Sequence, residues 1–251
     1  METPNPRRYF LKKAGLLAAS AAVLPNVLAY GQPKEDKINV LKRPQTVLFI
    51  GDSITDGNRT RDNDWNHVLG HGYAQMLAAR LWFDHPQRFA MFYNRGISGN
   101  TVGDLAGRWQ ADVIDLKPDV VSILVGINDV YGIVKGYLSQ TPDEFERIYR
   151  IILETTGREL PNARLVICEP FILPGGRVEE KPDVWERETS VRREITQKLA
   201  REFNAVFVPL QEPFTDALHK APAKHWIWDG IHPMPGGHEL IAREWLKKVK
   251  L

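Results

Sequence analysis

Apolar residues along this chain come in short unbroken runs rather than alternating with polar ones. "VLFI" (47–50), "FAMFY" (89–93), "VVSILV" (120–125), "LVIC" (165–168) and "AVFV" (205–208) are each bounded by turn residues. A strand apolar at consecutive positions has both faces covered, as in a parallel sheet held between two layers of helix. Between the runs the apolar spacing lengthens to a helical period. It predicts helices over 71–83, 102–116, 141–160 and 186–204, and a last one over 235–248. One start is explicit in "TPDE" (141–144): Thr141 can cap, Pro142 suits the first helical position, and Glu144 can reach back to the cap amide. Strand alternating with helix predicts one doubly wound α/β domain with right-handed parallel crossovers. There is no internal repeat. The longest irregular stretches, 57–70 and 172–185, are polar, and loops of that length in a compact domain tend to shape a site.

The first 29 residues stand apart from this pattern. "RRYFLKK" (7–13) precedes "AGLLAASAAVL" (14–24), an apolar run closed by Pro25 and too short to span a bilayer. Arg7 and Arg8, followed by Tyr9, Phe10, Leu11 and Lys12, resemble the twin-arginine export signal, so a signal peptide over 1–29 is expected, with cleavage after Ala29. The rest of the chain, 30–251, is then the domain, exported and without stable membrane insertion. The leader carries Arg7, Arg8, Lys12 and Lys13 against Glu2, so removing its +3 from the chain's +2 leaves a domain of charge −1. A near-neutral domain with no basic block offers nucleic acid no footprint. Cys168 is the only cysteine, which excludes an intrachain disulfide, and no Cys/His cluster has zinc spacing.

In an open α/β sheet, ligands bind beyond the carboxyl ends of the strands, so the residues after each apolar run are the ones that bear on chemistry. Ser53 follows the first run, "NRGISGNT" (94–101) the second and "GIND" (126–129) the third. Near the C-terminus, "WDGIHPMPGGH" (228–238) sets Asp229 and His232 three residues apart. A serine hydroxyl needs a base to take its proton, and an imidazole serves best when a carboxylate fixes its tautomer. Ser53, His232 and Asp229 are those parts. An attacked carbonyl becomes an oxyanion, for which the amides of Ser53 and Gly99 and the side chain of Asn128 are candidate donors. Gly99 suits a backbone N–H turned toward a ligand, although a turn glycine would read the same way. Ser98 is an alternative nucleophile, but "GISGN" fails the G-x-S-x-G elbow, which occurs nowhere in the chain.

"GDSI" (51–54), "GISGN" (96–100), "GIND" (126–129) and "DGIH" (229–232) together resemble, in order, the four blocks of the SGNH hydrolases, also called GDSL-type esterases and lipases. The resemblance implies a three-layer α/β/α, flavodoxin-like fold with a parallel sheet of about five strands. It also implies Ser53 as nucleophile, an oxyanion hole of Ser53, Gly99 and Asn128, and an Asp229–His232 base unit. Family members act on acyl esters and thioesters without metal or organic cofactor. Ile54 departs from the Leu of the family's name at a position expected to pack.

Other features carry less. Asp52 reads as holding the turn that presents Ser53, and Asp129 as an Asx turn. His67, His71, His219, His225 and His238 have no partner pattern, so surface or packing roles are expected for them. "RDND" (61–64) shares the start of a calcium loop but lacks the remaining ligands and the closing Glu. Trp226 and Trp228 flank the Asp229 turn, while Trp65 and Trp185 fall in the two long loops, so aromatic faces could stack on sugar rings; packing in the core is the competing role. The charged loop "GGRVEEKPDVWERE" (175–188) suits a polar substrate better than a lipid surface. The reading is a carbohydrate esterase removing O-acetyl groups. A lipid or acyl-thioester hydrolase, or a non-catalytic carbohydrate-binding protein, are the alternatives, and the sequence leaves the oligomeric state open.

Overall fold

The computed structural model describes residues 45–62 and 65–250. The expected leader, 1–29, lies outside the described residues. Five strands, β1 (Gln45–Gly51), β2 (Phe89–Gly96), β3 (Val120–Leu124), β4 (Arg164–Cys168) and β5 (Val206–Val208), form one parallel sheet in the order β2-β1-β3-β4-β5. All five expected runs are strands, and each is apolar on both sides because each side meets helices.

Residues alternate between those sides. Val47 and Phe49 of β1 join one apolar cluster, with Tyr73 and Leu77 of α2 (Tyr73–Asp84) and Ile241 and Trp245 of a C-terminal helix, Pro235–Lys248. Leu48 and Ile50 join the other, with Leu105 and Trp109 of α3 (Val102–Trp109), Tyr149 and Leu153 of α5 (Pro142–Glu159), and Leu199 of α6 (Pro182–Glu202). The remaining helices are short: α1 (Ser53–Asp56), α4 (Ile127–Lys135), α7 (Gln211–Ala217) and α8 (Ala223–Trp226); the C-terminal helix is α9.

The Thr141 box forms as expected, with the hydroxyl accepting from Glu144 N and the Glu144 carboxylate accepting from Thr141 N. Three differences from the sequence pattern have local causes. α3 stops at Trp109 and passes into one π turn, Gln110–Ile114, where Asp115 N–H donates to the Gln110 carbonyl 2.9 Å away. α6 starts a turn before the expected 186, because Pro182 lacks the N–H that the first turn cannot use. α4 was not expected at all, since it is only nine residues long between the cap glycines Gly126 and Gly136, and Gly132 interrupts its apolar spacing.

β1 lies between β2 and β3, so the chain leaves it toward one neighbour and returns on the other side. That is the topological switch point of an α/β sheet, and the segments after β1 and β3 diverge there to open a crevice.

Candidate active site

β1 ends at Gly51, where an added Cβ would lie 2.1 Å from the Leu124 carbonyl oxygen of β3. Only glycine allows the strands to approach so closely at the point where the chain turns. Asp52 caps the next helix, its Oδ1 accepting from Ile54 N at 3.0 Å, and Ser53 is the first residue of α1. The leading N–H groups of a helix have no acceptor within it, so the Ser53 amide faces outward at the strand end. Asp52 therefore does hold the Ser53 turn. Its other oxygen is buried without a partner, and burial pushes the carboxyl up to about 7, against the opposing influence of the Ile54 amide and His232.

The turn 227–233 brings the base. Ile227 and Pro233 bridge antiparallel, Trp228 N donates to the His232 carbonyl, and Gly230 takes a left-handed conformation at φ +92°. Asp229 Oδ1 accepts from His232 N at 2.8 Å and Ile231 N at 3.2 Å, and Oδ2 lies 2.7 Å from His232 Nδ1. With the ring proton on Nδ1 and donated in a hydrogen bond to Asp229, Nε2 is left as an acceptor. It stands 2.8 Å from Ser53 Oγ. Burial alone would raise the Asp229 carboxyl, but the His232 ring and the amides of His232 and Ile231 outweigh it and hold the group well below the usual carboxylate range. Asp229 is thus an anion placed against an imidazole, which can take a proton from the serine.

Gly99 has φ +86°, and an added Cβ would meet nothing within 4 Å. Its requirement for glycine is conformational rather than spatial. Asn128 sits in the first turn of α4, with Nδ2 donating to the Asn100 carbonyl at 3.1 Å. An amide nitrogen has two hydrogens, so one is left over for a ligand. Asp129 does more than make a local turn: fully buried, it accepts from Val102 N through both oxygens at 3.1 and 3.2 Å and so ties α4 to the start of α3. Burial pushes its carboxyl up to about 6.

Three residues that the sequence pattern did not single out complete the frame. Arg177 Nε lies 2.7 Å from Asp229 Oδ2, and its guanidinium stands 5.4 Å above the Tyr131 ring. Arg108 donates to the carbonyls of Gly51 and Arg95, and to Asn100 Oδ1, clamping the ends of β1 and β2 to the 97–100 loop. Asp56 Oδ2 accepts from both the amide and the hydroxyl of Ser98. Ser98, the alternative nucleophile, is therefore committed to a carboxylate rather than an imidazole. Signals for these three were absent, because an arginine or aspartate in a polar loop reads as solvated surface. His238 also differs from its expected surface or packing role: Nδ1 accepts from Tyr73 N at 3.2 Å, capping α2, and burial pushes the ring down to about 4.

The expectation for the tryptophans needs correction. Trp185 lies on α6 rather than in a loop and is fully buried, its indole N–H donating to the Arg177 carbonyl, so it has no face for a substrate. Trp226 is half-buried and lines a groove of about 700 Å³ between α7 and α9. Trp228 is 58% exposed and stacks on the His232 ring, with centroids 6.0 Å apart and planes 19° from parallel.

Residues 49–240 match the model of the GDSL-like lipase/acylhydrolase family. The chain belongs to that family. It is 34% identical over 212 residues to the acetylxylan esterase of Geobacillus stearothermophilus, an alignment covering 82% of this chain and 94% of that protein. A solved structure of that esterase superposes with a TM-score of 0.71 at 32% identity, covering 82% of this chain and 94% of the other. A protein of Parabacteroides merdae described as a GDSL-like lipase gives a TM-score of 0.78 at 37% identity, over 82% of this chain and 96% of that one. As a GDSL-family member the protein is a carboxylic ester hydrolase, and its five-stranded α/β fold is the family's.

Proposed function

We propose that this GDSL-family hydrolase is a serine esterase that removes acetyl groups from carbohydrate through Ser53, His232 and Asp229. The observation that carries the proposal is the unbroken relay from Ser53 Oγ to His232 Nε2 at 2.8 Å and from His232 Nδ1 to Asp229 Oδ2 at 2.7 Å. Ser53 Oγ attacks the ester carbonyl while His232 takes its proton, and the oxyanion is met by the amides of Ser53 and Gly99 and by Asn128. His232 then returns the proton to the departing sugar oxygen, which leaves as a hydroxyl. Water, activated by the same imidazole, releases acetate from the acyl-serine.

The substrate class is supported by the acetylxylan esterase relative, of which solved forms include catalytic mutants with a serine or an aspartate changed to alanine. It is also supported by Trp228, whose exposed ring beside His232 can stack on a sugar. The leader sequence would deliver the enzyme outside the cytoplasm, to the periplasm or beyond, where polysaccharide lies. Acetate release from acetylated xylo-oligosaccharides, with 4-nitrophenyl acetate, butyrate and octanoate beside it, tests the proposal. The expected result is acetate from the oligosaccharides and falling kcat/KM with acyl length. Rising turnover with acyl length would favour a lipid or thioester hydrolase instead.

A further inference from the structure

A second concavity opens beside this site, between the edge strand β2 and residues 59–62, 65 and 68. It holds about 260 Å³ and is walled by Arg59, Arg61, Arg95, Trp65 and Tyr93, among others. Its arginines are unequally partnered. Asp56 receives Arg61 through both oxygens, at 2.7 and 3.2 Å, and also serves Ser98. Asp112 receives Arg108 at 2.6 Å, leaving Arg95 Nε 4.0 Å away, buried and without a hydrogen-bond partner. Arg59 commits Nε to the Gly96 carbonyl at 3.0 Å. Thr60 Oγ1 is likewise buried without a partner. Three arginine side chains (59, 61 and 95) thus line the concavity, and that of Arg95 keeps a buried donor with no acceptor.

We propose that this concavity is a subsite for a carboxylate-bearing sugar, a uronate unit of the same acetylated carbohydrate chain, received by the guanidinium groups of Arg59, Arg61 and Arg95. A carboxylate would give Arg95 Nε the acceptor it lacks. Guanidinium groups match the planar, two-oxygen geometry of a carboxylate, and Trp65, 57% exposed at the rim, offers a face for the ring that bears it. The local field is felt within the pocket: burial, then the charge of Arg61, pull the Arg59 guanidinium down to about 10. The position is right for substrate. Arg95 is four residues before Gly99, a span of at most about 14 Å, so an acetyl group at Ser53 and a carboxylate here can belong to neighbouring sugars.

This inference rests on the carbohydrate-esterase reading, and the experiment separates the two. Acetate release is measured from acetylated xylo-oligosaccharides with and without a uronate branch, for wild type, Arg95→Gln and Arg95→Lys, at low salt and at high salt. The wild type should prefer the uronate-bearing fragments by about five- to tenfold in kcat/KM, Arg95→Lys should keep part of that preference, and Arg95→Gln or high salt should bring the ratio close to one. A ratio of one in the wild type, or a preference that Arg95→Gln leaves intact, overturns the inference while the esterase reading stands. If no carbohydrate releases acetate although 4-nitrophenyl acetate is cleaved, the reading fails, and the pocket is tested by itself through calorimetric titration of Ser53→Ala with sodium glucuronate. Glucuronate binding that xylose does not reproduce supports the subsite. No binding, or equal binding of inorganic phosphate, overturns it.

Discussion

Arg177 and His232 share one oxygen of Asp229: Arg177 Nε and His232 Nδ1 each lie 2.7 Å from Oδ2. The carboxylate that would stabilise a protonated imidazole is therefore already partly neutralised by a fixed cation. In Arg177→Gln that competitor is gone, and in the proposed mechanism the imidazolium formed as Ser53 attacks meets an undivided carboxylate. The kcat on 4-nitrophenyl acetate should rise about two- to fivefold. Because the Arg177 side chain is 40% exposed, the stability cost should stay at or below about 1 kcal/mol. An unchanged kcat would show that the shared oxygen has no electrostatic consequence.

Asp229→Asn keeps the shape of the turn and removes the anion, leaving the imidazole free to take the wrong tautomer. A kcat loss of about 10³- to 10⁴-fold is expected. Ser53→Ala should lose at least as much, together with all labelling by an organophosphorus fluoride. A variant Ser53→Ala protein still labelled at full stoichiometry would place the nucleophile elsewhere.

The oxyanion donors make a paired prediction. Asn128→Ala should lower kcat about 10²- to 10³-fold with little change in KM. Gly99→Ala adds a methyl to open space, so no clash opposes it, and only the φ of +86° does. That strain is about 1–2 kcal/mol, felt as a modest fall in melting temperature and a smaller fall in kcat than at Asn128. Equal losses at the two positions would mean that Gly99 matters for more than its conformation.

His238 gives a pH dependence with a definite sign. In the folded chain its ring is pushed down to about 4, against 6.5 for an ordinary histidine, because it is buried and a charged His232 nearby would repel it. The unfolded chain then binds the extra proton first. Its stabilising contribution is complete above about pH 6.5 and is lost as the pH falls toward 4, at up to about 1.4 kcal/mol per pH unit. His238→Gln, which keeps an acceptor, should flatten urea-unfolding stability across that window.

Much of this was legible from pattern. The five strands came from unbroken apolar runs, since burial on both faces leaves no other reading, and α9 came from its proline start. Ser53 at a strand end and Asp229 and His232 in the turn before the last helix were found from the chemistry a nucleophile needs, and the structure brings those three within hydrogen-bond distance in series. What stayed hidden is three-dimensional. α4 was masked by its shortness and by Gly132, which weakens a helical signal without forbidding the helix. Arg177 and Arg108 act on groups 52 and 57 residues away, on Asp229 and Gly51. Trp185 was misread because a tryptophan near a charged loop looks exposed, whereas helix α6 turns it inward.

The hydroxyl and the imidazole that meet at 2.8 Å are 179 residues apart, the first just after β1 and the second just before α9. In the proposed mechanism the serine is therefore inert until the segment that carries His232 has docked against the first strand. Turnover would then report the docking of that segment, and its loss would be an early sign that the segment has peeled away.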